Sequence, residues 1–307
     1  MKLSVVATMY YSRDYLHEFY NRIMLAIKTI GCSYEFVLVN DGSPDDSLEV
    51  ALQLQHLDAN VKIIDLSRNF GHQRAIMTGL QRTSGDYVFL IDCDLEEDPG
   101  LLNPFWEKLS ATADADVVFG VQMRRKGKFF ERVSGRIFYK LVSVLSSIEY
   151  PADTLTARLM SRSYVDAVTK FSEKELDVWG VFVLVGFNQI PMLVTKGYKG
   201  SSTFTLRKKM RRAVEIIVSF SHRPLYITFF LGVISSVIAM ANIVLIVYKK
   251  MILHIDVEGW ASILASIWLV GGMILLMLGI FGLYLSKMFL EIKNRPLTII
   301  KKVYSSK

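Results

Sequence analysis

Residues 87–99 read YVFLIDCDLEEDP. An apolar run from Tyr87 to Ile91 carries the chain into Asp92-Cys93-Asp94-Leu95-Glu96-Glu97-Asp98-Pro99. A short, uninterrupted apolar run that ends in carboxylates fits a strand buried on both faces of a sheet, with polar chemistry at its carboxyl end. Five acidic side chains in seven positions repel one another, and a fold tolerates this with a compensating cation. Asp92 and Asp94 point the same way along an extended chain. As hard oxygen ligands they suit Mg²⁺ or Mn²⁺, completed by a substrate diphosphate. Such an ion neutralises the charge that builds on a phosphate leaving group. For Glu96, Glu97 and Asp98 a solvated acidic loop serving the dipole of the next helix is the plainer reading.

The same pattern recurs on either side. Leu3–Met9 (LSVVATM), Glu35–Asn40 (EFVLVN), Val61–Leu66 (VKIIDL) and Asp116–Val121 (DVVFGV) are short, rich in Val and Ile, and bounded by turn residues. With Tyr87–Asp92 they predict five buried strands. Helical stretches fall between them, at Asp14–Ile30, Asp45–Gln55, Gln73–Thr83 and Pro99–Leu109. This alternation predicts a mostly parallel sheet in an α/β domain, whose ligands bind beyond the carboxyl ends of the strands. The polar motifs lie there. The second strand ends in Asn40-Asp41-Gly42-Ser43-Pro44-Asp45-Asp46, where Asp41 can accept hydrogen bonds from a base or ribose. Ser43 or Asp45 can cap the next helix, and a plain strand–turn–helix connection accounts for the same residues. After the third strand comes Ser67-Arg68-Asn69-Phe70-Gly71-His72. Arg68 suits a phosphate, and Gly71 suits a tight turn or a close backbone approach. His72 suits a structural or capping role better than that of a general base.

The 307 residues are 51% hydrophobic and 21% charged, with mean hydropathy +0.32. This composition excludes a disordered chain, a collagen-like repeat and a small disulfide scaffold. Cys32 and Cys93 are the only cysteines, which fits a reducing compartment. Thirty-six Lys and Arg against 29 Asp and Glu leave a net charge of +7, suited to anionic partners.

The apolar residues are concentrated in two stretches. Leu225–Tyr248 and Ala261–Ser286 contain no Asp, Glu, Lys or Arg, and each is long enough to cross a bilayer as a helix. Tyr226, Tyr248, Trp260, Trp268 and Tyr284 lie near the segment ends, as an aromatic belt requires. Eight Lys or Arg lie between Lys196 and Arg223, and six from Lys287 onward, whereas Lys249 and Lys250 in the connector are balanced by Asp256 and Glu258. The positive-inside rule places both flanks in the cytoplasm. The expected organisation is a cytosolic domain (1–204), an interfacial amphipathic helix (205–224), a first span (225–248), an extracytoplasmic connector (249–260), a second span (261–286) and a basic cytosolic tail (287–307).

The order VNDGSPDDS, LSRNFGHQ, IDCDLEEDP and RLMSR, followed by paired spans, resembles the family 2 glycosyltransferases of the GT-A fold. The subgroup it most resembles is the membrane-anchored polyprenyl-phosphate glycosyltransferases. The resemblance implies a Rossmann-like, mostly parallel GT-A domain followed by a two-helix transmembrane hairpin. It implies inverting transfer from a UDP- or GDP-sugar to a polyprenyl phosphate such as undecaprenyl phosphate, with Mg²⁺ or Mn²⁺, at the cytoplasmic face of a bacterial plasma membrane. Such transfer serves the synthesis or modification of cell-surface glycan. Asp92 and Asp94 would then form the metal-binding DxD pair, with Asp94 the direct ligand. Thr8, Tyr10, Asp41, Arg68 and Cys93 would line the nucleotide pocket. Arg158 occupies the position of an arginine in the acceptor-side motif and joins the two aspartates in catalysis. Arg124, Arg132, Arg136, Arg207 and Lys208 would meet the lipid phosphate, with Lys199 on the approach.

Three positions depart from that pattern. The family usually has Pro where this chain has Thr8, an acidic residue near Ser12, and Asp where this chain has Thr156. If that Asp serves elsewhere as a base, this chain lacks it or uses Asp153, Glu96 or Glu97. A phosphate monoester, whose second pKa is about 6, is already largely anionic at pH 7. It needs positioning and charge compensation more than a base. Two alternatives stand beside this reading: single transfer to a saccharide hydroxyl, and a non-catalytic sugar-nucleotide-binding homologue. Nucleic acid is a poor partner, since the positive charge lies beside the spans. Gly271-Gly272, Gly279 and Gly282 permit close helix packing, within the hairpin or between copies in a homo-oligomer.

Overall fold

Strand β1 (Lys2–Met9) is buried along almost its whole length, as a central strand covered on both faces must be. In the computed structural model it pairs in parallel with β2 (Ser33–Asn40) on one side and β4 (Tyr87–Leu90) on the other, and β3 (Val61–Leu66) extends the parallel ladder beyond β2. Helices α1 (Leu16–Ile30), α2 (Ser47–Leu57) and α3 (His72–Leu80) make the crossovers. The acidic loop after β4 enters a 3₁₀ turn at Pro99–Leu101 and then α4 (Leu102–Ala111). The structure describes residues 1–122, 154–174, 177–195, 218, 221, 223–251 and 259–305.

The second part of the sheet is built differently. Strand β5 (Val117–Gln122) does not lie beside β4. Strand β6 (Thr154–Ser161) runs between them, antiparallel to both, and β7 (Gln189–Val194) pairs in parallel on the far side of β5. Helices α5 (Arg162–Val168) and α6 (Val178–Leu184) connect β6 to β7. Among the described residues the sheet order is β7-β5-β6-β4-β1-β2-β3-β8. The last strand, β8 (Ile300–Tyr304), pairs antiparallel to β3. The stretch 287–307, expected as a basic tail, is therefore divided between the end of a long helix and an edge strand. Lysines suit such an edge because they discourage further pairing.

Two apolar layers sandwich the sheet. On one face, Phe19 and Ile23 of α1, Ala51 and Leu54 of α2 and Phe105 of α4 pack on Val5, Phe36, Ile63 and Phe89. On the other, Ile76 and Leu80 of α3, Tyr164 of α5 and Val181 and Phe182 of α6 pack on Val6, Val39, Val88 and Met160. Each buried Phe or Leu contributes about 1.5–3 kcal/mol over an exposed one. Helix α3 sits unusually close to the strands: a Cβ at Gly79 would lie 2.6 Å from Val6 Cγ1 and 3.0 Å from Val39 Cγ2. That close seat delivers the start of α3 to the carboxyl ends of β1 and β2.

The described residues fall into two units, the sheet unit (1–122, 154–174, 177–195 and 294–305) and a second that holds helices α7 (Arg223–Met251) and α8 (Trp260–Ile292). Both helices are long and apolar enough to cross a membrane. The stretches Arg223–Asn242 and Ser266–Ile292 have mean hydropathies of 1.9 and 2.2, and neither is buried against protein. Phe229, Phe230, Trp268 and Leu275 are exposed, as lipid-facing side chains are. The pair fits a transmembrane hairpin, and its second helix continues six residues past the expected limit of 286. Most of the expected interfacial helix and most of the connector lie outside the described residues, and positions 223–224 belong to α7.

Candidate active site at the carboxyl ends of the strands

Strand periodicity decides which side chains share a face. Val6, Val39, Leu90 and Met160 belong to the apolar layer on the α3 side. Residues an even number of positions along each strand, namely Thr8, Asp41, Asp92, Arg158 and Thr156, are directed to that same face. Because β6 runs antiparallel to β4, Leu90 is paired with Arg158. Two steps further, the ladder sets Asp92 opposite Thr156. All of these residues except Arg158 lie at the carboxyl edge of β1, β2 and β4, where the connections diverge to opposite sides of β1. That switch point is where open α/β sheets bind ligands.

The β2 end is a locked turn. Asp41 is 3% exposed and both its oxygens are engaged: the backbone N–H of Phe70 donates at 2.7 Å and that of Gly71 at 3.0 Å. Burial pushes its carboxyl above the ordinary value, against the pull of those two bonds and of the positive potential from His72 and Arg68. Gly42 has φ +61, and a Cβ there would lie 2.5 Å from the Arg68 carbonyl carbon and Asn69 nitrogen. Only glycine lets the two loops come together. Asp41 thus spends its carboxylate on shaping the loop after β3. Arg68 is exposed and lies 4.1 Å over the Phe70 ring.

The β1 end is stitched to the same turn. Tyr11 N–H donates to Ser43 Oγ at 2.8 Å, and Ser12 N–H donates to Ser47 Oγ at 2.9 Å. Tyr11 sits at φ +54, a strained value for a non-glycine residue. The chain turns sharply there and leaves Tyr10 and Tyr11 exposed, edge to face. Cys93 points the other way. Its thiol is buried in the opposite apolar layer and donates to the Thr8 carbonyl at 2.9 Å. Burial pushes it up to about 12, with Asp92 and Asp94 adding to the rise against a lowering hydrogen bond with Ser12. The Cys93 side chain, expected at the nucleotide, is a core group.

At the β4 end, Asp92 stands between two partners. Thr156 donates its hydroxyl to Asp92 Oδ2 at 2.7 Å, and His72 Nε2 lies 3.4 Å from Oδ1. His72 Nδ1 is 3.1 Å from Thr8 Oγ1. Asp94 is half-buried and accepts the Glu96 N–H at 3.0 Å, across a turn in which Leu95 adopts φ +60. Glu97, expected in a solvated loop, is 1% exposed. It accepts the backbone N–H groups of Thr156 at 3.0 Å and Ala157 at 2.6 Å, and so fastens the acidic loop to β6. Among the described residues no three His, Cys, Asp or Glu side chains converge as a metal cage.

Arg158 does not stand in the open cleft. It is 2% exposed, with its guanidinium 3.7 Å over the Phe182 ring and 5.1 Å from that of Trp179. It reaches the carbonyls of Leu155 and Thr156 at 3.4 and 3.5 Å and walls a cavity of about 180 Å³ lined also by Phe119, Thr154, Val183 and Gln189. Arg124, Arg132, Arg136, Lys199, Arg207 and Lys208 lie outside the described residues. Sequence reasoning missed the role of Glu97 and the bridging place of His72. Their partners stand 59 and 64 residues away, so no local spacing signals them.

The sequence pattern of glycosyl transferase family 2 matches residues 4–169, from β1 through α5. The chain is 43% identical over 306 residues to a putative glycosyltransferase of Mycobacterium tuberculosis, covering 100% of this chain and 89% of that one. It is 34% identical over 307 residues to the uncharacterized glycosyltransferase YkcC of Bacillus subtilis, covering 99% and 94%. It is 29% identical over 304 residues to the bactoprenol glucosyl transferase of Shigella phage SfII, covering 98% of each chain. A GT-A sheet, carboxylates at its switch point and these relatives together make the chain a member of glycosyl transferase family 2.

Proposed function

We propose that this glycosyltransferase moves a sugar, with inversion, from a UDP- or GDP-sugar to a polyprenyl phosphate held in the membrane, with its sheet unit on the cytoplasmic face of a bacterial plasma membrane. The observation that carries the reading is the Thr156–Asp92 pair. The side chain facing Asp92 across the site is a hydroxyl already donating to it, not a second carboxylate that could take a proton. An alcohol acceptor at pH 7 needs a base; a phosphate acceptor arrives as the anion. Two helices long enough to span a bilayer and the full-length similarity to a bactoprenol glucosyl transferase support a lipid carrying that phosphate.

The donor side follows from the same residues. The turn locked by Asp41 and Gly42 and the exposed Tyr10 offer a surface for base and ribose at the switch point, with Thr8 beside it and Arg68 at its rim. Asp92 and Asp94 supply hard oxygen donors beyond the end of β4, too few for a cage but suited to a Mg²⁺ or Mn²⁺ ion that also takes diphosphate oxygens. When bound, such an ion neutralises the departing nucleoside diphosphate. Arg158, held under Phe182 and Trp179, keeps a fixed positive charge on the β6 side, where an anionic acceptor gains from it. Arg124, Arg132, Arg136, Arg207 and Lys208 are the basic residues assigned to the lipid phosphate.

The test is transfer of label from radioactive UDP- and GDP-sugars to undecaprenyl phosphate by purified protein in detergent, with and without Mn²⁺. Metal-dependent, organic-extractable label released by mild acid is the expected result. Label found only in water-soluble saccharide would move the acceptor to a sugar hydroxyl.

A further inference from the structure

Asp92 meets groups on two different elements, one of which is itself backed by a third. Thr156, on β6, donates to Oδ2 at 2.7 Å. His72, at the start of α3, lies 3.4 Å from Oδ1, and its far nitrogen is 3.1 Å from the hydroxyl of Thr8 on β1. The imidazole stands between Thr8 and the carboxylate, with Nδ1 at hydrogen-bond distance from the hydroxyl and Nε2 at ion-pair distance from Oδ1. A carboxylate on a short side chain turns freely about its last torsion. A hydroxyl on one oxygen and an imidazole beside the other remove that freedom. The supports stand on strands and on a helix seated tightly by Gly79, which makes the arrangement stiff. A carboxylate at position 156 would instead face Asp92 across the ladder and repel it.

We propose that Thr156, and Thr8 through His72, are positioning residues that fix the Asp92 carboxylate for the nucleoside diphosphate and its divalent cation, and that the two threonines act as one coupled set. This rests on the donor reading above. Partners of this kind around a metal-binding carboxylate typically change metal affinity by 10–100-fold.

The experiment is calorimetric titration of the full-length protein with UDP and with GDP, each with and without Mn²⁺, on wild type, T156S, T156V, T8V and T8V/T156V, with thermal melting as a check of folding. T156V should weaken Mn²⁺-dependent nucleotide binding on the order of tenfold while metal-free binding stays the same, and T156S should stay close to wild type. T8V should lose less, and the double variant should lose less than the product of the two single losses. T156V binding like wild type, T156S binding as weakly as T156V, or strictly multiplicative losses would each overturn the clamp. If wild type binds neither nucleotide with Mn²⁺, the donor reading falls and the clamp falls with it.

Discussion

The two halves of the sheet solve different problems. From β1 to β4 the chain is a run of parallel crossovers, and its carboxyl edge is fixed by side chains that bind backbone: Asp41 holds Phe70 and Gly71, Ser43 holds Tyr11, and Ser47 holds Ser12. From β5 to β7 an antiparallel strand is inserted, and its polar side chains meet other side chains: Thr156 meets Asp92, and Arg158 meets Phe182 and Trp179. The first half is a receptacle whose shape is made by side chains that tie the loops after β1, β2 and β3 to one another. The second brings charge and hydroxyl groups to the edge of that receptacle from a distance in sequence. In the proposed reaction the first half receives the nucleotide and the second faces the acceptor.

The comparison breaks most visibly where the halves meet. Asp92→Asn keeps the shape and the bond from Thr156 but removes the charge. Turnover should fall by about 10²–10³-fold, the scale of losing one preorganised electrostatic group, while the protein still folds. Near-normal turnover would separate Asp92 from the chemistry. Within the first half, Asp41→Ala releases two backbone N–H groups, which costs roughly 3 kcal/mol, so the melting temperature should drop by about 6–12 °C and the donor KM should rise. An unchanged melting temperature would show that the turn does not depend on Asp41.

In the second half, Arg158→Met keeps apolar bulk under Phe182 and removes the positive charge. It should raise the acceptor KM about tenfold, near 1.4 kcal/mol, and leave the donor KM as it was; the reverse split would put Arg158 on the nucleotide side. The smallest effect belongs to the opposite edge of the first half. Burial raises the Glu35 carboxyl, but hydrogen bonds from Ser4, Ser84 and Lys2 outweigh it and hold the group down at about 2. The folded protein then binds fewer protons than the unfolded chain below pH 4.5, so this stabilisation is complete above that pH and is lost as pH falls towards 2. Glu35→Gln should flatten the stability profile in that window. An unaltered acid limb would rule out this source.

The first half was also the legible one. Its four strands and their helices stand within a few residues of where apolar runs and turn residues put them, because a parallel strand covered on both faces needs an unbroken apolar run. The second half hid β6, whose TLTARLMS alternates polar and apolar side chains and reads as a motif. At the far edge of the first half β8 is hidden too, because Ile300–Tyr304 carries two lysines and looks like a solvated tail, although edge strands use such residues. Within the site, the positions of Asp41 and Asp92 at strand ends are legible from the apolar runs that precede them. Cys93 shares its motif with two aspartates, but strand alternation turns its thiol to the core. Glu97 and His72 could not be found locally, since antiparallel insertion and helix docking bring their partners from about 60 residues away.

The central claim is that the acceptor supplies its own anion, because the side chain facing Asp92 is the hydroxyl of Thr156 and not a second carboxylate. Its most direct measurement is the rate of sugar transfer to a polyprenyl phosphate against the same polyprenol without phosphate, with donor and Mn²⁺ held constant. Transfer to the phosphate alone is the predicted result. Comparable transfer to the polyprenol hydroxyl would contradict it and require a base elsewhere in the site.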